Sequence, residues 1–408
     1  MRLFRWLVVV LAAFTCLAFA QSSTTTQAAP GFSIDTIDKS VDPCVDFYEY
    51  ACGNWIKNAE IPPDQSQWVS FVELHERNMD IMRGILEKAS KGGASRNAID
   101  QKIGDMYGSC MDEKTVNSQG IAALKPELDR IDAVKDKQSL IDEIARVHMI
   151  GANPLFAFYS SSDLHNADQV IAYIDQGGLS APDRDYYLKD DDKTKAVRQH
   201  LVDYMTEVFT QASKDGAHGA APAQDADTVL RIETALAKAE MDRTSRRDPK
   251  NRDHKMSRDE AVALASNFYL DRYFHDVNAP KFSQLNVGNP DFFKQINAVL
   301  DSESLDSLKT YVKWHLLNSS TPWLSQPYVD ANFKFQQALT GQKEIQARWK
   351  RCTNLVDREL GEALGQKYVE VAFPPDSKAR MLKMVNALEK SLGEDIQNLS
   401  WMSAETAL

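Results

Sequence analysis

Residues 68–86, W-V-S-F-V-E-L-H-E-R-N-M-D-I-M-R-G-I-L, decide the class of fold. Phe71, Val72, Met79, Met82, Ile85 and Leu86 recur at helical spacing with charged residues between them, the pattern of a helix that buries one stripe. The same stretch argues against one chemistry. A zinc-binding H-E-x-x-H places two imidazoles four residues apart, on consecutive turns, so that both reach one ion. His75-Glu76 begins that pattern, but Met79 stands at the second ligand position. A thioether is a poor replacement for imidazole on zinc. His75 therefore reads as a helix-face residue.

Outward from this helix, similar stripes pass through Leu140, Ile141, Ile144 and Val147, and through Val229, Ile232, Leu236 and Ala239. Another passes through Met381, Met384, Val385, Leu388 and Leu392. Ser257-Arg258-Asp259-Glu260 has the spacing of a capping box ahead of a helix. Strand signals are scarce: Ala157-Phe158-Tyr159 and Val170 to Ile174 suggest one small β hairpin packed on helices. The expected fold is mainly α. Lys214 to Asp227, rich in Ala, Gly, Asp and Pro, reads as a surface loop. Asp190-Asp191-Asp192 reads as a solvated loop or helix start. Helical periodicity persists from Leu392 to Leu408 without a terminating signal, as expected of a chain cut inside a larger fold.

The N-terminus speaks for export. Arg2 and Arg5 precede an apolar run from Trp6 to Phe19, and Ala18-Phe19-Ala20 offers a cleavage site before Gln21. The run is about 14 residues, short of the roughly 20 that a bilayer core requires. Residues 1–20 are expected to be a signal peptide and residues 21–40 a flexible leader, with a single helical domain over 41–408. Cleavage removes two arginines and takes the net charge from −11 to −13. An acidic exported protein is a poor partner for nucleic acid or anionic membranes, and no further segment is apolar enough to span one. The expected location is extracellular or periplasmic.

Of the five cysteines, Cys16 leaves with the signal peptide, and Cys44, Cys52, Cys110 and Cys352 remain. Four cysteines in an oxidising compartment permit three pairings. Catalytic patterns are wanting. No two of the eight histidines lie within ten residues of each other. There is no G-x-S-x-G elbow, no Gly-rich phosphate loop and no C-x-x-C pair.

Five motifs in order carry a family resemblance. V-D-P-C-V-D-F-Y-E-Y-A-C-G-N-W (residues 41–55) resembles the opening signature of the neprilysin and endothelin-converting-enzyme family of zinc metalloendopeptidases. Ile61-Pro62 then precedes the Trp68 helix start. Residues 106–113 (M-Y-G-S-C-M-D-E), 178–187 (G-L-S-A-P-D-R-D-Y-Y), 348–352 (R-W-K-R-C) and 368–373 (Y-V-E-V-A-F) are similar to further family segments in sequence order.

The resemblance implies a large helical lobe covering a smaller zinc lobe, with peptides held in a cavity between them. This chain matches the covering lobe only. It implies zinc in the complete enzyme and peptide substrates, with a C-terminal catalytic lobe as partner, whereas this chain supplies no zinc ligand and alone is expected to be inactive. It also implies a Cys110–Cys352 disulfide, with Cys44 and Cys52 bonding to cysteines of the absent lobe. Phe71 corresponds to a residue lining the pocket just beyond the scissile bond. Gln67 stands where the family usually has an arginine that binds the substrate's C-terminal side. A neutral amide loses that bidentate carboxylate clamp. The other reading of the chain is a secreted, non-catalytic helical module that binds peptides or serves as a scaffold.

Overall fold

The computed structural model describes residues 33–406, apart from residues 94, 95, 218, 220 and 404. The expected signal peptide, Cys16, most of the leader and His218 lie outside the described residues. The chain divides after Pro62 into two compact units. In the first, a 3-10 turn at Ile34–Thr36 precedes helix α1, Phe47–Asn58. The Asp46 carboxylate accepts from the Glu49 N–H at 2.9 Å, satisfying a donor that a helix start leaves without an intrahelical partner. Lys57 pairs with Asp38, and the Asn54 amide donates to the Ile37 carbonyl at 2.7 Å. Cys44 is exposed, Cys52 half-buried, and both are free thiols.

The second unit is helical with one small sheet. It begins with α2 (Ser70–Ser90), α3 (Ala98–Met111), α4 (Glu113–Gln119), α5 (Lys125–Ala133) and α6 (Lys137–Met149). A hairpin follows, β1 (Phe156–Asp163) and β2 (Asn166–Gln176), then α7 (Asp185–Leu188), α8 (Asp192–Lys214) and α9 (Pro222–Ala239). Next come β3 (Lys255–Ser257), α10 (Arg258–Leu264), α11 (Leu270–Asp276) and β4 (Gln284–Val287). The unit closes with α12 (Pro290–Ser302), α13 (Leu305–Ser320), α14 (Gln326–Thr340), α15 (Arg348–Ala372) and α16 (Pro375–Gln397).

The mainly α expectation holds, and the hairpin lies where the alternation placed it, with Phe158 opposite Ile174 and Tyr159 opposite Tyr173. Two short strands extend it: β4 pairs parallel to β2, and β3 antiparallel to β4, in the order β1-β2-β4-β3. Each contributes only three paired positions, too few for an alternating pattern to stand out. The surface loop expected over Lys214 to Asp227 is corrected. Helix α8 runs to Lys214 and α9 starts at Pro222. Alanine is the strongest helix former, and proline at a helix start forfeits no bond, so Pro222 and the alanines after it begin a helix. Asp191 caps α8 by accepting from Thr194, and the Ser257–Glu260 capping box is present.

Two hydrophobic cores organise the second unit. The larger gathers Phe156, Phe209, Phe292, Tyr311 and Trp314, together with the buried stripes of α6 and α9. The smaller joins Met79, Met82 and Leu86 of α2 to Ile103 and Tyr107 of α3 and to Cys352, Val356 and Leu364 of α15. A Cβ at Gly104 would lie 2.4 Å from the Ala89 carbonyl oxygen, so glycine is what lets α2 and α3 approach this closely. Cys110 and Cys352 form a disulfide that closes a sequence separation of 242 residues between α3 and α15.

Candidate functional site

The segment that precedes the smaller core and enters it carries both residues singled out by the family resemblance. No residue from 63 to 78 is buried, and Met79 is the first to reach the core. Gln67 is exposed on the approach to α2, and Phe71, in its first turn, is 84% exposed. Val69 and Leu74 add to the same exposed apolar surface. The helix start is weakly made: Val69 occupies the cap position with extended backbone and offers no side-chain acceptor.

What fastens this segment comes from far along the chain. The Pro63 carbonyl accepts from the Lys343 and Glu344 N–H groups at 3.1 and 2.9 Å. The Lys350 ammonium, only 13% exposed, donates to Asp64 Oδ2 at 2.7 Å and lies 2.6 Å from Glu76 Oε2. Gln65 donates to the other Glu76 oxygen at 2.6 Å. Burial alone would lower the Lys350 pKa, but its hydrogen bonds with Asp64 and Glu76 outweigh that and hold it above the ordinary lysine value. Beside it, the Arg83 guanidinium sits 4.6 Å from the centre of the Trp349 ring. Further along, Tyr368 donates to Asn78 Oδ1 at 2.9 Å. Sequence reasoning missed this lysine, because nothing local to Lys350 signals a partner 286 residues away.

The buried ionisable groups elsewhere serve architecture. Glu233, fully buried, accepts from Ser180 Oγ and Tyr187 Oη, both at 2.6 Å, and from the Ser180 N–H at 3.2 Å. Trp314 Nε1 donates to Ser180 Oγ, and Tyr311 Oη donates to the Gly178 carbonyl. The G-L-S-A-P motif is thus a loop tied into the core, with its serine held between an indole and a carboxylate. His148 bridges Tyr273 Oη at 2.7 Å and the Pro154 carbonyl at 2.8 Å. Burial pushes its pKa down to about 4, so Nε2 carries the proton donated to Pro154 and Nδ1 accepts from Tyr273. Burial pushes Glu240 up to about 7, against the pull of Arg246 and Arg184.

The residues present do not fit the zinc ion that the resemblance implies. His75 faces solvent, while Met79 at the second ligand position is 1% exposed and packed in the smaller core. Among the described residues, no group of three His, Cys, Asp or Glu side chains is placed to hold a metal ion. Among them, too, no helix is long and apolar enough to cross a membrane.

A second exposed apolar face lies on α16. Its stripe of Met381, Met384, Val385, Leu388 and Leu392, with Leu382 beside it, has the same periodicity as the buried stripes of α6 and α9. Yet these six residues are 40% to 61% exposed, and no residue of the helix is buried. Val369 and Val371, in the last turns of α15, are exposed as well.

Comparison with known proteins gives one consistent answer. The model of peptidase family M13, as an N-terminal domain, matches residues 43–407. Human endothelin-converting enzyme 1 is 29% identical over 403 residues, covering 96% of this chain and 51% of that protein. Mouse membrane metallo-endopeptidase-like 1 is 26% identical over 400 residues, covering 91% and 51%. The crystal structure of the Mycobacterium tuberculosis zinc metalloprotease Zmp1 superposes with a TM-score of 0.83 at 27% identity, covering 92% of this chain and 57% of that one. PepO of a Lactobacillus shares the fold at 17% identity, with a TM-score of 0.75 over 89% of this chain and 57% of that one. The chain spans about half the length of the curated relatives it matches.

Proposed function

The chain belongs to peptidase family M13, and from that premise we propose that it is the N-terminal part of a secreted, neprilysin-like zinc endopeptidase. In this reading it forms the helical lobe, residues 41–408, that covers a peptide-cleaving cavity. A C-terminal lobe outside this chain supplies the zinc ligands. The observation that carries the proposal is α16: 23 residues with a regular apolar stripe and not one of them buried. Contiguous apolar patches beyond a few hundred Å² are rare on free monomers and mark surfaces that a partner covers. Cys44 and Cys52, unbonded here, suit disulfides to that same lobe.

Within the complete enzyme, Phe71 lines the pocket just beyond the scissile bond and Gln67 faces the substrate's C-terminal side. The exposure of Phe71 in the uncapped first turn of α2, and of Gln67 just ahead of it, supports these roles. Glutamine there offers an amide where an arginine would clamp a free carboxylate, so internal bonds are favoured over the release of C-terminal dipeptides.

Reading the coding sequence past codon 408 tests the proposal: it should continue into H-E-x-x-H, and a stop codon at that point would sink it. The full-length protein should cleave peptides in a chelator-sensitive way, and the 408-residue chain alone should not.

A further inference from the structure

We propose that Lys350 is a positioning residue for substrate: one ammonium fastens both ends of residues 64–76 and so sets where Gln67 and Phe71 stand. This role rests on the reading of those two residues as substrate contacts. Its basis is geometric. Asp64 and Glu76 bracket the presenting segment and converge on Lys350 Nζ at 2.7 and 2.6 Å. Between them no side chain is buried, and the helix start lacks a side-chain cap. A helix end with neither core contacts nor a cap frays readily, so the order of this stretch must be imposed from outside.

The attachment is itself rigid. Lys350 lies in the first turn of α15, two residues before Cys352, which is bonded to Cys110 of α3. Arg348 Nε adds a hydrogen bond to the Cys110 carbonyl at 2.8 Å, and Trp349 is covered by Arg83. Lysine suits this position, because a compact ammonium with three donors meets carboxylates from two directions, where a planar guanidinium favours one. Removing its charge leaves two carboxylates facing each other without a counter-ion, which drives the ends of the segment apart.

The decisive experiment uses the full-length enzyme with peptides bearing a large apolar residue after the scissile bond. Lys350→Met should raise KM about tenfold while kcat stays within about twofold, the signature of lost binding. Hydrogen exchange at amides 65–75 should quicken while that of the larger core, for example in α13, stays unchanged. Glu76→Gln, a milder cut at one end, should move both readouts in the same direction should Lys350→Met fail to fold. Phe71→Ala should raise KM similarly, and combining it with Lys350→Met should add little, because both remove the same contact. Unchanged KM and exchange in the Lys350 and Glu76 variants, with Phe71→Ala still impaired, would overturn the positioning role and leave the substrate contact standing. No KM effect from Phe71→Ala would overturn the substrate-contact reading and the positioning role together.

Discussion

Phe71 and Met79 lie two turns apart on one helix, and the first is 84% exposed where the second is 1% exposed. Helix α2 therefore serves two purposes along its length: its later turns build the smaller core and its first turn is held out in solvent. Phe71→Ala should leave stability within about 0.5 kcal/mol, as for exposed sites generally, whereas Met79→Ala should cost about 2–5 kcal/mol. Urea titration of the two variants checks the contrast, and equal costs would mean that Phe71 is part of the fold.

The Cys110–Cys352 disulfide spans 242 residues, so it restricts the unfolded chain strongly. By loop-closure entropy, removing it with a Cys110→Ser/Cys352→Ser double variant should cost up to about 5 kcal/mol. Thiol titration of the unreduced, denatured 408-residue chain, freed of its signal peptide, should find Cys44 and Cys52 reactive and the other two silent, whereas in the full-length enzyme all four should be silent.

His148 and Glu240 give opposite pH dependences in one window. The folded state holds His148 at about 4 against 6.5, so its contribution is complete above pH 6.5 and is lost as pH falls toward 4. Glu240 is held at about 7 against 4.5, so its contribution is complete below pH 4.5 and is lost as pH rises through 7. Each is worth up to about 3 kcal/mol across its range. Wild-type stability should thus vary little between pH 4.5 and 6.5. Glu240→Gln should uncover a loss on acidification, and His148→Gln a loss on raising the pH. Denaturation midpoints across that range, with parallel curves for all three proteins, would refute the assignment.

The α16 stripe should make the 408-residue chain sticky. Replacing Leu388 and Leu392 by Asp should lower binding of a hydrophobic dye and reduce self-association on gel filtration. The thermal midpoint should not change, because no residue of α16 is buried. A large drop in that midpoint would place the stripe inside the fold.

Much of this protein is legible in its sequence, and the limits fall at particular residues. The helical periodicity of α2, α6 and α9, the capping box at Ser257 and the hairpin at Ala157 and Val170 are local patterns, set by residues within a turn or two of one another. The ordered motifs around Cys44, Cys110 and Cys352 point to the family by the same local reading. Local patterns also mislead: the Ala-rich stretch after Lys214 reads as a loop and contains the start of α9.

The sequence by itself determined the helical class, the motifs that carry the family resemblance and the methionine at position 79 that denies His75 a partner for zinc, because each is written in neighbouring residues. Only the tertiary structure decided which apolar stripes are covered. Leu140, Ile141, Ile144 and Val147 of α6 are buried, whereas Met381, Met384, Val385 and Leu388 of α16 repeat the same spacing and are not. Periodicity shows that a helix has an apolar face; whether a neighbouring surface takes that face out of water is a matter of packing. Only the tertiary structure, likewise, brought Asp64 and Glu76 onto Lys350 across as many as 286 residues. An ion pair between distant segments depends on how the helices between them pack, and it leaves no mark in the residues nearby.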